Sequence, residues 1–292
     1  MIEVTKFPYE INAVIGDLMV DFVPTGRTNS DADYDVFKNN AYTVEKDNDT
    51  GEETQIEIPI TWDFSSNFDW INGGWKIDEN NDTYFCIKAG TFVNINYNLF
   101  GTDGVVAKKD ANGNYTIAGT GKEFKVIFKT TNVAQANATW LECIGIADKN
   151  SLGIRMEAQN AYIDSTLGTL EIPYVDDDII EFDMNIVPIT KFLENGEPNL
   201  ATKTIPMIIT YEDGTPVQPK VITSASTNLK QDTPQPITIG SEYCDVHIYR
   251  MKVYERYLED KEILTNFIAD ARSGVEMAKR YVRNNIYPIE DA

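Results

Sequence analysis

PQPITIGSEYCDVHIYRMKVYERYLEDKEILTNFIADA, residues 234–271, contains the signals on which the reading of the whole chain turns. PITIG (236–240) and DVHIYRMKVY (245–254) alternate apolar with polar residues, the second placing Tyr249, Met251 and Val253 on one face. A period of two marks a half-buried strand, with one face on a core and one in water. After Leu258 the period changes. Ile263, Leu264, Phe267, Ile268 and Ala271 follow helical spacing and make a one-sided apolar stripe. Two strands followed by an amphipathic helix packed on the sandwich are therefore predicted.

The same alternation runs outward through the rest of the chain. Ile56, Ile58 and Ile60 lead to Trp62; Thr91, Val93, Ile95 and Tyr97 repeat the pattern, as do Phe124, Val126 and Phe128, with Lys122, Lys125 and Lys129 on the polar side. Further runs are LEIPYV (170–175), IIEFDMNIV (179–187), IPMIITY (205–211) and PKVIT (219–223). Turn signals separate them: NGG (72–74), DANGN (110–114), ENGEP (194–198) and EDGTP (212–216). Many short strands without helices threaded between them point to a mainly β, antiparallel two-sheet sandwich. The first 57 residues hold shorter strands (EINAVIG, LMVDFVP) and a polar stretch, KDNDTGEETQ (46–55), that reads as a loop. The expected organisation is an N-terminal segment over 1–57, a sandwich over 58–257 and a helical extension over 258–292. Within that extension, Ser273 and Glu276 form a capping-box pattern opening a second helix over 274–284.

Composition removes several function classes. The 292 residues carry 46 Asp and Glu against 25 Lys and Arg, a net charge of −21, which repels phosphate backbones and anionic membrane surfaces. Residues 250–283 hold eight basic and six acidic residues, so the excess lies elsewhere. The apolar runs fall short of the roughly 20 residues of a bilayer span. MIEVTKFPYE lacks the basic and then apolar run of a signal peptide. Cys86, Cys143 and Cys244 are odd in number and far apart, and read as small buried hydrophobes rather than a disulfide framework. His247 is the only histidine, too few for a zinc site of several imidazoles.

The remaining chemistry is sparse. Asp31, Asp33 and Asp35, Asp78, Asn80 and Asp82, and Asp110, Asn112 and Asn114 suggest calcium loops. Each lacks the glycine at the sixth position and the glutamate at the twelfth, so solvated acidic turns are the better account. Asp176, Asp177 and Asp178 read the same way. Glu181 and Asp183 are the nearest approach to a paired-carboxylate hydrolase, but Ile180, Phe182 and Met184 claim the inner face of that strand. No metal, cofactor or catalytic group is expected. Among Trp62, Trp70, Trp75 and Trp140, the pair Trp70 and Trp75 flanks the NGG turn and is the candidate sugar-stacking surface, against a default of core packing.

Residues 64–100, GKEFKVIFKTTNV, GIRMEAQNAYI and above all 234–271 resemble the laminin G-like, concanavalin A-like jelly-roll sandwiches of tailed-bacteriophage structural proteins. The most specific portion is a strand giving ITIG, a strand giving IYRMKVYER, and a short helix beginning near LEDKEIL. The resemblance implies a virion component of the tail, baseplate or a fibre, made in the host cytoplasm, with other virion proteins as partners in a homo- or hetero-oligomer. It carries over no catalytic residues. The alternative it leaves is a carbohydrate-binding module for a host-surface glycan. In the tail of the chain, Val275, Lys279, Arg280, Tyr281, Val282 and Arg283 are the expected partner-docking residues, because they place basic charge and apolar surface together on an otherwise acidic chain.

Overall fold

The computed structural model describes residues 14–47, 49–98, 105–109, 112, 115–118, 122–132, 138–144, 152–157, 160–165, 168–173, 179–192, 198–208, 220–224, 228–229 and 236–272. In chain order the first strands are β1 (Leu18–Phe22), β2 (Tyr42–Lys46), β3 (Glu53–Glu57), β4 (Trp62–Phe64), β5 (Gly74–Ile77), β6 (Thr83–Ile87) and β7 (Thr91–Ile95). There follow β8 (Val105–Lys109), β9 (Tyr115–Ala118), β10 (Lys122–Thr131), β11 (Ala138–Ile144), β12 (Leu152–Glu157), β13 (Asn160–Ser165) and β14 (Gly168–Pro173). The last are β15 (Ile180–Phe192), β16 (Pro198–Ile208), β17 (Lys220–Ser224), β18 (Asn228–Leu229), β19 (Ile237–Ser241) and β20 (Asp245–Tyr254), before helix α1 (Asp260–Arg272).

Two antiparallel sheets make the sandwich. One runs β17-β16-β15-β10-β20-β6-β5, with β1 sharing the free edge of β20; the other runs β14-β13-β12-β11-β19-β7-β4. Strands distant in sequence lie side by side, as a jelly roll requires. The sheets meet face to face: Phe85, Ile87, Ile248 and Met251 from the first, and Trp62, Val93, Ile95 and Ile239 from the second, line one small apolar gap. Among the described residues no helix is long and apolar enough to cross a membrane.

The alternation of β10 and β20 sets the core, with one correction. Phe124, Val126 and Phe128 are buried and stand opposite Val253, Met251 and Ile248. The register skips one residue of β20 between Ile127 and Phe128. Such a bulge moves the side chains beyond it to the other face. Tyr249 therefore does not share the core face with Met251 and Val253. It lies against Tyr84 (ring centroids 5.3 Å apart), whose neighbours Phe85 and Ile87 point inward.

The outer face of these strands is also covered. Lys125, expected on a polar face in water, is fully buried beneath α1, as are Arg250 and Lys252. Asp270 of α1 reaches all three, at 2.7 Å from Lys125 Nζ and 3.3 Å from both Arg250 Nε and Lys252 Nζ. Ile263 and Ile268 are buried as the helical stripe predicts. Asn266 ties the helix further, its Nδ2 donating to Tyr254 Oη and its Oδ1 accepting from Val14 N–H. At the helix start Glu262 accepts the Glu259 N–H and holds Arg256 through both carboxylate oxygens (2.9 and 2.7 Å). The second predicted helix, its Ser273–Glu276 box and the docking residues Val275, Lys279, Arg280, Tyr281, Val282 and Arg283 lie outside the described residues.

Burial raises the Asp270 carboxyl, but Lys125, Lys252 and Arg250 outweigh it and hold the group well below the usual carboxylate range. A depressed carboxylate stabilises the fold above its unfolded pKa and loses that contribution as pH falls. Asp270→Ala is expected to cost about 3–5 kcal/mol, as removal of one partner from a buried ionic cluster does. Urea unfolding at neutral pH measures it. Asp270→Asn should also lose less stability than the parent between neutral pH and about pH 3, because it lacks this titrating group.

Candidate functional site

The aromatic text around the NGG turn folds into one continuous cluster. Phe22 on β1, Phe37, Trp62 and Phe64 on β4, Trp75 on β5 and Phe85 on β6 meet at centroid distances of 4.7–6.5 Å. Both buried indoles also fasten the segment between β1 and β2. Trp62 Nε1 donates to the Asp35 carbonyl (2.6 Å) and Trp75 Nε1 to the Tyr34 carbonyl (2.8 Å). The Arg27 guanidinium covers the Trp75 ring at 4.6 Å. Trp75 is thus a core side chain, 5% exposed, and its assignment to a sugar-stacking surface is corrected. Its ring holds the segment between β1 and β2 against the sandwich.

Trp70 occupies a different position. It is half-buried on the connection from β4 to β5, edge-on to Tyr34 (4.6 Å) and packed on Phe64 and Phe68. The next residue, Ile71, is 86% exposed. The turn that presents it is fixed from both sides. Asp69 Oδ1 accepts the N–H groups of Ile71 and Asn72, and Asn29 Nδ2 donates to the carbonyls of Trp70 and Gly73 while its Oδ1 accepts Trp75 N–H. Gly74 has φ of +73°, and a Cβ there would run into Asn29 Oδ1 and the Trp70 ring. The glycine pair read as a turn signal is therefore also a packing requirement.

Arg27, Asn29, Tyr34 and Ile71 were invisible to pattern reading. The segment 23–38 has no alternation, and only the density of Asp, Asn and Gly marks it as loop. Asp31 and Asp33 of the first calcium-like motif pair with cations here: Arg27 with Asp31 (3.4 Å) and Lys38 with Asp33 (2.6 Å). In the second motif Asp78 Oδ1 accepts from Asn80 and Asp82 N–H, closing its own turn. Among the described residues no three His, Cys, Asp or Glu side chains converge as a metal would need.

The polar groups around the turn and along β6 and β20 are engaged in holding the structure. Hydrogen bonds from Asn72 and Ile71 hold the Asp69 carboxyl below its usual range, as an acceptor for its own turn. Cys86 and His247 stand opposite each other on β6 and β20, but burial pushes the Cys86 thiol up to about 11. A thiol held so high is no nucleophile. The His247 ring is stacked on Tyr84 at 4.4 Å. Asp245 is drawn up by burial and down, more strongly, by Lys88, the Ala89 N–H and Asn132; it serves as a structural acceptor. Cys86 and Cys244 are buried free thiols. Glu181 and Asp183 stand in register with Ile127 and Lys125 of β10; their side chains, like those of Cys143 and Trp140, lie outside the described residues.

No protein-family model matches the chain, and no curated protein does. Solved structures similar to it include the botulinum neurotoxin type G receptor-binding domain, at 6% identity and TM-score 0.44, covering 88% of this chain and 52% of that one. The binding domain of botulinum neurotoxin DC in complex with rat synaptotagmin II is similar at 8% identity and TM-score 0.46, covering 87% and 51%. The same domain in complex with SialylT gives 9% identity and TM-score 0.44 over the same shares. The chain spans about half the length of these structures.

The two indoles flanking the turn should separate in a stability measurement. Trp75→Ala is expected to cost about 3–5 kcal/mol, as a truncated core aromatic does. Trp70→Ala should cost less than half as much. Equal losses in urea unfolding would contradict the division between a core ring and a half-buried one.

Proposed function

We propose that the chain is a structural protein of a tailed-bacteriophage virion, placed in the tail, baseplate or a fibre, that works by binding and not by catalysis. The observation that carries this reading is the Trp70–Ile71 turn. An aliphatic side chain 86% exposed, on a turn clamped by Asp69 and Asn29, is a contact element already ordered before any partner arrives. Preorganisation of this kind leaves more of the burial energy for binding. The resemblance of residues 234–271 to phage laminin G-like domains supports the setting. The saturated Asp69, the protonated Cys86 thiol and the stacked His247 support the absence of turnover.

A second reading, recognition of a host-surface glycan, is favoured by Trp70 itself. Its part-exposed indole is braced by Tyr34 and stands on the same turn as the exposed Asn72 amide, the pairing of ring and hydrogen-bonding group that sugars use.

Mass spectrometry of purified particles of the phage encoding the chain tests the first reading. The chain should be present, and Ile71→Asp should lower its incorporation by about tenfold, the effect of losing one anchor residue, with the melting temperature unchanged. Particles without the chain, or full incorporation of the variant, would overturn it. For the second reading, Trp70→Ala should reduce retention on immobilised host glycans; undiminished retention excludes Trp70 as the stacking ring.

A further inference from the structure

The stretch that read as a polar loop, residues 46–55, is part of a β-hairpin. β2 and β3 pair from Tyr42↔Glu57 to Lys46↔Glu53, and Asp47 closes the tip by accepting the N–H groups of Asp49 and Thr50. Every residue of β3, and every residue of β2 after Tyr42, is exposed. Among the described residues no other strand pairs with either edge. A lone two-stranded hairpin in water is marginal. This one is fastened at its root. Asn39, only 7% exposed, donates from Nδ2 to the carbonyls of Met19 and Ile58 (2.9 and 3.0 Å) and accepts at Oδ1 from the N–H groups of Asp21 and Ala41. One side chain thus ties both legs of the hairpin to β1.

Beyond that root the arm carries open N–H and C=O groups along both edges, the template by which a sheet edge adds another strand. Val44 and Ile56 stand 48% and 39% exposed, on opposite faces by register. Residues 42–57 hold six acidic side chains against Lys46 alone. A second copy of the arm would meet it with like charge, on a chain whose net charge is already −21.

We propose that the β2–β3 hairpin is a docking arm that adds to the exposed edge strand of a different, cationic protein, one whose strand alternates Lys or Arg with β-branched residues. Main-chain hydrogen bonds give the affinity, and the glutamates select the partner. The arm does so independently of the Trp70–Ile71 turn and of the virion setting.

Hydrogen exchange of the full chain, with and without an alternating lysine–valine octapeptide, tests this. Amides of residues 42–46 or 53–57 should slow, while an alternating glutamate–valine peptide leaves them unchanged. Glu45→Lys with Glu57→Lys should weaken binding of the lysine peptide by about tenfold, as lost charge complementarity does. The melting temperature should hold, because both side chains are in water. Slowing confined to other segments, or equal binding by the charge-reversed chain, would overturn the proposal. So would a concentration-dependent dimer, seen by sedimentation, that the same two substitutions abolish, since the arm would then serve self-association.

Discussion

The buried meeting of Asp270 with Lys125, Arg250 and Lys252 is the constraint on which the rest of the structure depends. β10 and β20 are the central strands of their sheet, and their outward positions carry charge. Without α1 those charges would stand in water, as alternation alone implies. With α1 in place they are enclosed, and lifting the helix would strand cations and carboxylate apart. A buried ionic group of this kind contributes little net stability over an apolar core of the same volume, yet it is costly to break. It acts as a lock on position. The helix can sit in one register on the sheet, where its Asp270 meets all three cations and its Asn266 meets Tyr254 and Val14.

The region around β5 and β6, with β4 of the other sheet, is organised by a different means. There the aromatic rings pack from both sheets and from the loop after β1, and their two indole N–H groups reach loop carbonyls. The consequence is a loop region that owes its order to the core and not to its own secondary structure. Asn29 extends the same device to the turn after Trp70. The surface turn can therefore be traced inward, bond by bond, from the carbonyls of Trp70 and Gly73 to Asn29 and from Asn29 to Trp75 in the sandwich interior.

Part of each sheet and helix α1 were legible because burial imposes a period on the sequence; β7, β10, β19, β20 and α1 show it most clearly, whereas β5, β12 and β13 carried no alternation that was read. What escaped was whatever burial does not make periodic. The bulge beside Tyr249 changes which face a residue occupies without changing the pattern before or after it. Lys125 is polar by type and buried by circumstance, since its cover arrives from a helix more than a hundred residues away. The hairpin at 42–57 is exposed on both faces, so most of it lacked alternation. The one run that reached into it, Ile56, Ile58 and Ile60, ends as an exposed β3 followed by a connection to β4 and not as a half-buried strand. Trp75 illustrates the converse. Its place beside a turn suggested exposure, and only the arrival of Arg27 and Tyr34 from distant sequence shows it enclosed.

The charge balance takes its meaning from the same burial. Four cations and three carboxylates are buried among the described residues: Arg27, Lys125, Arg250 and Lys252 against Glu123, Asp245 and Asp270. Among the described residues the buried charges therefore nearly neutralise one another. Like-charged copies approaching by their acidic surfaces repel one another at long range. The same field draws in cationic surfaces and raises the rate at which they arrive. A net charge of this sign thus favours cationic surfaces over like-charged ones before any particular contact forms.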